Sequence, residues 1–191
     1  MAHKFVQSIP PSAQRVFKGV IFDVYQWEQE MFDGSWATFE AITRPDYVTV
    51  IPVLENSTIV ILEQEQPDSG VFYSFPGGRV DEGEEPEAAA QRELKEEAGV
   101  EATELVVWRE YQPQAKIVYQ AHEYVGRRCR KVSRPHPDAG ERVVVHELSF
   151  DELIELASAN DLFRHRNLVA DFVRAKYDPG AREKLKKLLY G

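Results

Sequence analysis

The segment from Gly77 to Val100 constrains the fold of this chain more than any other stretch of its sequence. Pro86 suits the first turn of a helix, because the amide hydrogen that it lacks would have no partner there. The alanine run that follows propagates the helix, and Gly99 is a natural C-terminal cap. These signals predict one helix over residues 86–98, directly after a loop that contains three glycines.

This helix has two unlike edges when successive residues are placed 100° apart. The apolar edge consists of Ala90, Leu94 and Ala98. On the neighbouring edge, Glu93 and Glu97 lie one turn apart and Glu96 lies beside Glu97. The sequence therefore predicts three carboxylates that project from one side of a helix whose other side is buried.

Two interpretations of the acidic edge are open from spacing alone. It is either a solvated face or a site for a divalent cation. A like-charge pair at positions i and i+4 costs roughly 0.2–0.5 kcal/mol, and anions near a helix C-terminus are disfavoured by the helix dipole. Mg²⁺ prefers carboxylate oxygens and shares its remaining positions with water and substrate phosphates. The pattern favours the cation site.

Charge and cysteine usage restrict the class of protein. The 191 residues are enough for one domain, and the formal net charge of −9 argues against a general nucleic-acid binder. The single cysteine, Cys129, excludes an internal disulfide and fits a reducing compartment. Neither a signal peptide nor an apolar run of membrane-spanning length is found. We therefore expect a cytoplasmic protein without a membrane or nucleic-acid partner.

The remaining pattern alternates between strands and a helical C-terminus. Strand patterns occupy residues 15–30, 33–44, 104–112, 116–128 and 142–149, and residues 47–66 hold two strands with near-continuous apolar runs. Helical patterns occupy residues 149–161, 165–178 and 179–191, the first with a capping box formed by Ser149 and Glu152. This order predicts a mixed α/β domain with helices packed on a sheet.

The acidic segment resembles the signature of a known family, the Nudix hydrolases. It fits the Nudix box, G-x5-E-x7-R-E-U-x-E-E-x-G-U with U aliphatic, at every specified position. The matching residues are Gly78, Glu84, Arg92, Glu93, Leu94, Glu96, Glu97, Gly99 and Val100. The resemblance implies an α/β/α sandwich with a mixed sheet. It also implies hydrolysis of a nucleoside diphosphate linked to another moiety, with Mg²⁺ or Mn²⁺.

The resemblance also assigns roles within the box. Glu93 and Glu97 resemble the principal metal ligands, with Glu96 and the carbonyl of Gly77 completing the site. Arg92 resembles the arginine that orients a box glutamate. The resemblance thus implies that Arg92 and Glu96 are catalytic residues. Glu84 resembles the helper residue at the junction between loop and helix, beside the substrate.

Outside the box, the N-terminal hairpin and residues 38–54 resemble the ADP-ribose pyrophosphatase branch. This likeness implies a β extension in residues 1–45 that is exchanged across a homodimer, a Nudix domain in 46–178 and a C-terminal helix in 179–191. It places Phe39, and Phe22 on the facing strand, where the branch stacks an adenine, although core packing is the alternative for both. Arg44 lies where an arginine commonly contacts the substrate.

The branch often takes its general base from a glutamate on the loop before the last strand. Glu141 in "HPDAGERVVV" is the candidate, with Asp138 in reserve. The alternative is that Glu141 only decorates a turn.

Three departures from the branch concern substrate recognition. Gln64–Glu65–Gln66 replaces Gln-aromatic-Arg, so a phosphate-contacting arginine is absent there. Ser74 replaces a glutamate, and Pro113 comes two residues earlier than the usual proline. The predicted reaction is the hydrolysis of ADP-ribose to AMP and ribose 5-phosphate. Alternatives are another nucleotide sugar, NADH, a nucleoside triphosphate, or a non-catalytic Nudix module.

Overall fold

A computed structural model describes residues 9–67, 69–113, 115–137 and 140–191, and within these ranges it contains twelve strands and four helices. The strands are β1 (Gln14–Lys18), β2 (Asp23–Glu30), β3 (Trp36–Thr43), β4 (Tyr47–Leu54), β5 (Ile59–Gln66), β6 (Gly70–Ser74), β7 (Gly77–Arg79), β8 (Val100–Glu101), β9 (Glu104–Tyr111), β10 (Ile117–Val118), β11 (Ala121–Lys131) and β12 (Arg142–Leu148). The helices are α1 (Pro86–Ala98), α2 (Phe150–Ala159), α3 (Arg166–Tyr177) and α4 (Pro179–Tyr190).

The main sheet is mixed and lies between two helical layers. Its central order is β12-β5-β4-β11-β8, with β6 on β5, β7 on β4 and β9 on β11. Strands β4 and β11 run parallel, whereas the other pairs are antiparallel. The α/β/α sandwich with a mixed sheet that the sequence predicts is confirmed.

Strand β4 is buried on both faces because each face has its own helical layer. Val50 belongs to the core cluster that includes Leu94 of α1. Ile51, the next residue, belongs to the cluster that includes Phe172 of α3 and side chains of α2 and α4. Full burial of a side chain such as Leu94 contributes about 1.5–3 kcal/mol. The apolar edge of α1 thus fixes the helix on the sheet and leaves its acidic edge at the side.

Strands β4 and β5 separate from each other, and this separation opens a cleft. They are paired only at Val53 and Ile59, next to their connecting turn. Farther along, β4 pairs with β7 and β5 pairs with β6. The residues at the open end, Tyr47 of β4 and Gln66 of β5, both line the cleft.

Gly99 ends α1 in the left-handed conformation, with φ of 67°, as its position predicts. Its amide donates to the carbonyl of Lys95 at 3.1 Å. Its own carbonyl accepts hydrogen bonds from the amides of Val132 and Ser133, at 2.9 and 3.2 Å. A Cβ at this position would come within 2.4 Å of the Ser133 carbonyl oxygen. The box glycine therefore allows the loop before β12 to dock on the end of α1.

Strands β1, β2, β3 and β10 form a second, N-terminal sheet. The prediction of a single strand over 15–30 is wrong, because a turn at 19–22 divides it and the amide of Gly19 donates to the carbonyl of Phe22 at 2.9 Å. The prediction of one strand over 116–128 is also wrong. Its first part, β10, runs parallel to β3 in the N-terminal sheet, and β11 continues beside β4 in the main sheet.

The C-terminal helices follow their sequence signals. The capping box is formed, with Ser149 accepting from the amide of Glu152 and the Glu152 carboxylate accepting from the amide of Ser149. Asp178 caps α4 in the same way, through the amides of Gly180 and Ala181. Across the described ranges, no helix has the length and apolar character that crossing a membrane requires.

Candidate active site

The acidic edge of α1 forms one wall of the cleft between β4 and β5, which has a volume of about 640 Å³. The carboxylates that line it are Asp81, Glu93, Glu96, Glu97 and Glu141. The three glutamates that the sequence places on one helix edge are thus brought together in one cavity. Strand β6, the loop before β12 and the segment between α2 and α3 supply the other walls.

Glu97 is buried, with 7% of its surface exposed. One carboxylate oxygen accepts from the amide of Gly77 at 2.8 Å, and the other accepts from Nε2 of Gln64 at 3.3 Å. Burial, together with the nearby carboxylates of Glu93 and Glu141, raises the pKa of Glu97 to about 8. A bare carboxylate is therefore costly at this position, and a nearby cation would stabilise it.

Glu93 is also buried, and it lies against the glycine turn that precedes the helix. A Cβ on Gly78 would come within 2.0 Å of Glu93 Oε1. Burial raises the pKa of Glu93, although the guanidinium of Arg92 acts in the opposite direction. The first glycine of the box therefore provides the space that the carboxylate of Glu93 occupies.

Arg92 connects the box carboxylates to one another. Its Nε and Nη2 donate to the two oxygens of Glu84, at 3.0 and 2.9 Å. Its Nη1 donates to Glu93 at 2.7 Å and to Glu96 at 3.2 Å. The pair with Glu84 raises the pKa of Arg92 and lowers the pKa of Glu84. Arg92 is thus fully engaged, and Glu84 faces Arg92 rather than lining the cavity.

The donor set fits a hard divalent cation. Glu93, Glu96 and Glu97 offer carboxylate oxygens, and the carbonyl of Gly77, which accepts from the Tyr47 hydroxyl at 3.0 Å, lies beside Glu97. Within the described ranges, no group of three or more acidic, histidine or cysteine side chains is already arranged closely enough to hold a metal ion. Arg92 holds Glu93 and Glu96. A cation would therefore have to compete with Arg92 for these oxygens.

Glu141 reaches the cleft because the loop before β12 is tied to the end of α1. The amide of His136 donates to the carbonyl of Glu96 at 2.6 Å, in addition to the contacts at Gly99. Gln66 Nε2 then donates to Glu141 Oε1 at 2.8 Å. The carboxylate is held in the cavity rather than on an exposed turn. The reserve candidate, Asp138, lies outside the described residues.

The segment between α2 and α3 supplies two cleft residues that the sequence analysis did not find. Arg164 and His165 both line the cavity. The guanidinium carbon of Arg164 lies 3.3 Å from the centroid of the Phe72 ring. No local pattern marks these residues, since the nearest cleft side chain on β5, Gln66, is 98 positions away from Arg164.

Phe39, Phe22 and Arg44 lie in or beside the N-terminal sheet and do not line the acidic cavity. Phe22 is in the turn after β1, not on a strand facing Phe39, and 43% of its surface is exposed. Phe39 packs against Trp27, with ring centroids 6.1 Å apart. The Arg44 guanidinium lies 4.9 Å from the Tyr119 ring and 5.6 Å from the Tyr47 ring. Because Tyr47 also lines the cavity, Arg44 lies next to one wall of the acidic cleft.

The basic run at 126–134 is used within the fold. Arg127 donates to the carbonyl of Leu188 at the end of α4. Other cations of β11 form ion pairs with carboxylates, namely Arg128 with Glu104, Arg130 with Glu55 and Lys131 with Glu147. These contacts give the cations of β11 partners within the fold.

His165 closes one end of the cleft by packing against the core. Its Nε2 accepts from the amide of Phe75 at 2.9 Å. Its ring centroid lies 5.3 Å from that of Phe75 and 5.7 Å from that of Phe163. Burial of the ring lowers the pKa of His165 to about 4, because the charged form loses its hydration.

We expect this histidine to make the fold sensitive to acid. The unfolded imidazole has a pKa of 6.5, so between pH 6.5 and 4 the unfolded chain binds more protons than the folded chain. Stability present above pH 6.5 is therefore lost as the pH falls, by roughly 2 kcal/mol for a residue that keeps some exposure. Urea unfolding at pH 7 and pH 4.5 measures this loss. His165→Gln keeps an acceptor, and the same pH dependence in that variant would refute the assignment.

Comparison with known proteins agrees with the geometry. A NUDIX domain model matches residues 43–172. ADP-ribose pyrophosphatase of Bacillus subtilis (strain 168) is 24% identical over 153 residues, which are 78% of this chain and 83% of that protein. ADP-sugar pyrophosphatase of Mus musculus is 40% identical over 74 residues, which are 34% of each chain.

A solved structure has the same architecture over almost the whole length of both chains. The crystal structure of an ADP compounds hydrolase superposes with a TM-score of 0.71 at 21% identity, covering 94% of this chain and 99% of that one. This likeness supports the fold, and the domain match spans more than half of the chain. The protein therefore belongs to the Nudix family, as a Nudix pyrophosphohydrolase that resembles the ADP-ribose pyrophosphatase branch.

Proposed function

We propose that the protein hydrolyses the diphosphate of ADP-ribose to AMP and ribose 5-phosphate, with Mg²⁺ or Mn²⁺ held by Glu93, Glu96, Glu97 and the carbonyl of Gly77. The observation that carries the proposal is the pair of buried carboxylates, Glu93 and Glu97, in one cleft with further acidic groups. Such a cleft repels an anionic diphosphate unless a cation neutralises it. Relatives named for ADP-ribose and ADP-sugar hydrolysis support this substrate class.

The residues of the chain divide the chemical work. A bound divalent cation would neutralise the diphosphate and lower the pKa of the attacking water. Glu141 accepts a proton from the attacking water, because it is a cleft carboxylate outside the box segment and is held by the neutral amide of Gln66. Arg92 pairs with Glu93 and Glu96 and thereby holds both carboxylates on the cleft-facing edge of α1.

The nucleoside half of the substrate lies toward the N-terminal sheet in this proposal. Arg44 Nε is buried and has no hydrogen-bond partner among the described residues. Its guanidinium lies within 6.0 Å of the Phe22 ring centroid. Phe39 and Phe22 offer aromatic surface for an adenine, and Arg44 offers unused donors for a ribose or phosphate oxygen.

A substrate screen tests the proposed function. The purified protein is incubated with ADP-ribose, other nucleotide sugars, NADH and nucleoside triphosphates, each with Mg²⁺ or Mn²⁺. Released phosphomonoesters are measured after coupling to a phosphatase. ADP-ribose should give the highest kcat/KM. Consumption of triphosphates alone would contradict the proposal. A higher kcat/KM for another nucleotide sugar would replace ADP-ribose as the substrate and leave the proposed diphosphate hydrolysis in place.

A second copy of the chain covers the N-terminal sheet in this proposal. Strand β1 is paired on one side only within the described residues, and Phe17 and Trp36 are 58% and 64% exposed. Exposed apolar groups of this size are costly in water and typical of an interface.

We expect light scattering to give the mass of a homodimer. The double variant Phe17→Glu, Trp36→Glu should give the mass of one chain, because two charges would be buried without partners. Tyr177→Glu, which changes a residue that is 77% exposed on α3, should leave the dimer intact. If the wild-type protein has the mass of one chain, the proposed homodimer is wrong.

The proposed location is the cytoplasm, and the cysteine supports it. Cys129 is buried, and its thiol donates to the carbonyl of Gly126 at 3.3 Å. Burial raises the pKa of the thiol to about 12, so it stays protonated and unreactive. A structural thiol of this kind fits a reducing compartment.

A further inference from the structure

Resting on the proposed function, we propose that Arg164 and Ser74 form a subsite for a phosphate group of the substrate, on the wall of the cleft opposite α1. Strand β5 lines the cleft with the uncharged side chains Gln64 and Gln66. Arg164, which is 98 positions away from Gln66, supplies a cation beside them.

The backbone fixes Arg164 against strand β6. The amide of Tyr73 donates to the carbonyl of Leu162, and the amide of Arg164 donates to the carbonyl of Tyr73, both at 2.9 Å. Phe163 and Tyr73 thereby form a parallel β-bridge. The hydrogen bond from Phe75 to His165 extends the same attachment by one residue. Arg164 is therefore held in register beside Phe72 and Ser74.

The side chain of Arg164 is oriented but not neutralised. Its guanidinium stacks on the ring of Phe72, which is 5% exposed. Its Nη1 makes one long hydrogen bond to Oε1 of Gln66, at 3.4 Å. No carboxylate within the described ranges lies at ion-pair distance from it, in contrast to Arg92. A stacked guanidinium keeps its N–H edge free for a planar pair with phosphate oxygens.

Ser74 provides a second donor beside Arg164. Ser74 and Phe72 are two positions apart on β6, so their side chains lie on the same face of the strand. Ser74 is 6% exposed, and its hydroxyl oxygen is buried without a hydrogen-bond partner among the described residues. An unpaired buried hydroxyl is costly, and a phosphate oxygen in the cleft would satisfy it.

The other cations of the cleft do not fill this role. Arg92 is occupied by three carboxylates, and His165 is neutral because its ring is buried. Arg79 lies on the same wall as the box, directly after Gly77 and Gly78. On the opposite wall, Arg164 is the cation that a diphosphate spanning the cleft would meet.

Calorimetric titration with the α,β-methylene analogue of ADP-ribose, in the presence of Mg²⁺, tests the subsite on the full-length protein. Arg164→Gln should raise the Kd of the analogue by about 10- to 100-fold, and Ser74→Ala by about 3- to 10-fold. Adenosine should bind all variants equally. KM for ADP-ribose should rise in parallel, with kcat changed by less than about 3-fold.

Arg166→Gln is the matched control. It also removes one arginine charge, two residues after Arg164, but the side chain of Arg166 does not line the cleft. Arg164→Lys should recover part of the affinity, and equal melting temperatures separate binding from folding. Equal Kd values for Arg164→Gln and Arg166→Gln overturn the subsite. If wild-type protein neither binds the analogue nor hydrolyses any nucleoside diphosphate derivative, the proposed function fails first, and the subsite fails with it.

Discussion

Replacing Glu97 with glutamine is expected to lower kcat/KM for ADP-ribose by about 10³-fold, since a lost metal ligand removes several kcal/mol of transition-state stabilisation. The amide keeps the shape of the side chain and can still accept from the amide of Gly77. The experiment is a steady-state assay with saturating Mg²⁺ or Mn²⁺. Wild-type activity in this variant would contradict the assignment of Glu97 as a ligand.

The same substitution should not unfold the protein. Burial raises the pKa of Glu97 above its unfolded value, so the folded state binds more protons between these two values. Stability from this group is therefore present at low pH and is lost as the pH rises toward 8. A neutral amide avoids that loss, and the variant should be at least as stable as wild type at pH 7.5 without metal. Glu87→Gln, on the exposed first turn of α1, is the matched control and should leave activity unchanged.

The second large effect is expected at Glu141. Glu141→Gln should lower kcat by about 10²- to 10⁴-fold, the usual contribution of a general base, with KM nearly unchanged. The glutamine can still pair with Gln66, so the loop should keep its position.

Asp138→Asn separates the two candidates for the base. We expect it to retain most of the wild-type activity, measured under the same conditions as Glu141→Gln. If Asp138→Asn loses activity and Glu141→Gln does not, Asp138 is the general base. Equal and small effects would show that water is activated without a carboxylate from this loop.

The helix of the box was predictable because its signals are local. Pro86 and Gly99 bound it, and the structure gives the helix the predicted limits of 86 and 98. The spacing of Glu93 and Glu97 places both on the edge that faces the cleft. These features depend on the turn of one helix, so a single sequence is enough to derive them.

The failed predictions concern backbone hydrogen bonds that the strand patterns do not encode. Residues 15–30 are rich in β-branched and aromatic residues, but the hydrogen bond between Gly19 and Phe22 divides them at a tight turn. Strand β10 leaves the path of β11 because it pairs with β3, seventy-five positions earlier. Arg164 follows the same rule, since its place in the cleft depends on a bridge between Phe163 and Tyr73. Periodicity carries no information about such pairings.

Binding of Mn²⁺ in the absence of substrate, followed by the electron paramagnetic resonance signal of the free ion, tests most directly whether the acidic edge of α1 is a metal site. Wild-type protein and Glu87→Gln should bind with the same affinity. Glu93→Gln and Glu97→Gln should bind at least about 10-fold more weakly. If both of these variants bind Mn²⁺ as tightly as wild type, the buried carboxylates of this helix do not hold the catalytic cation.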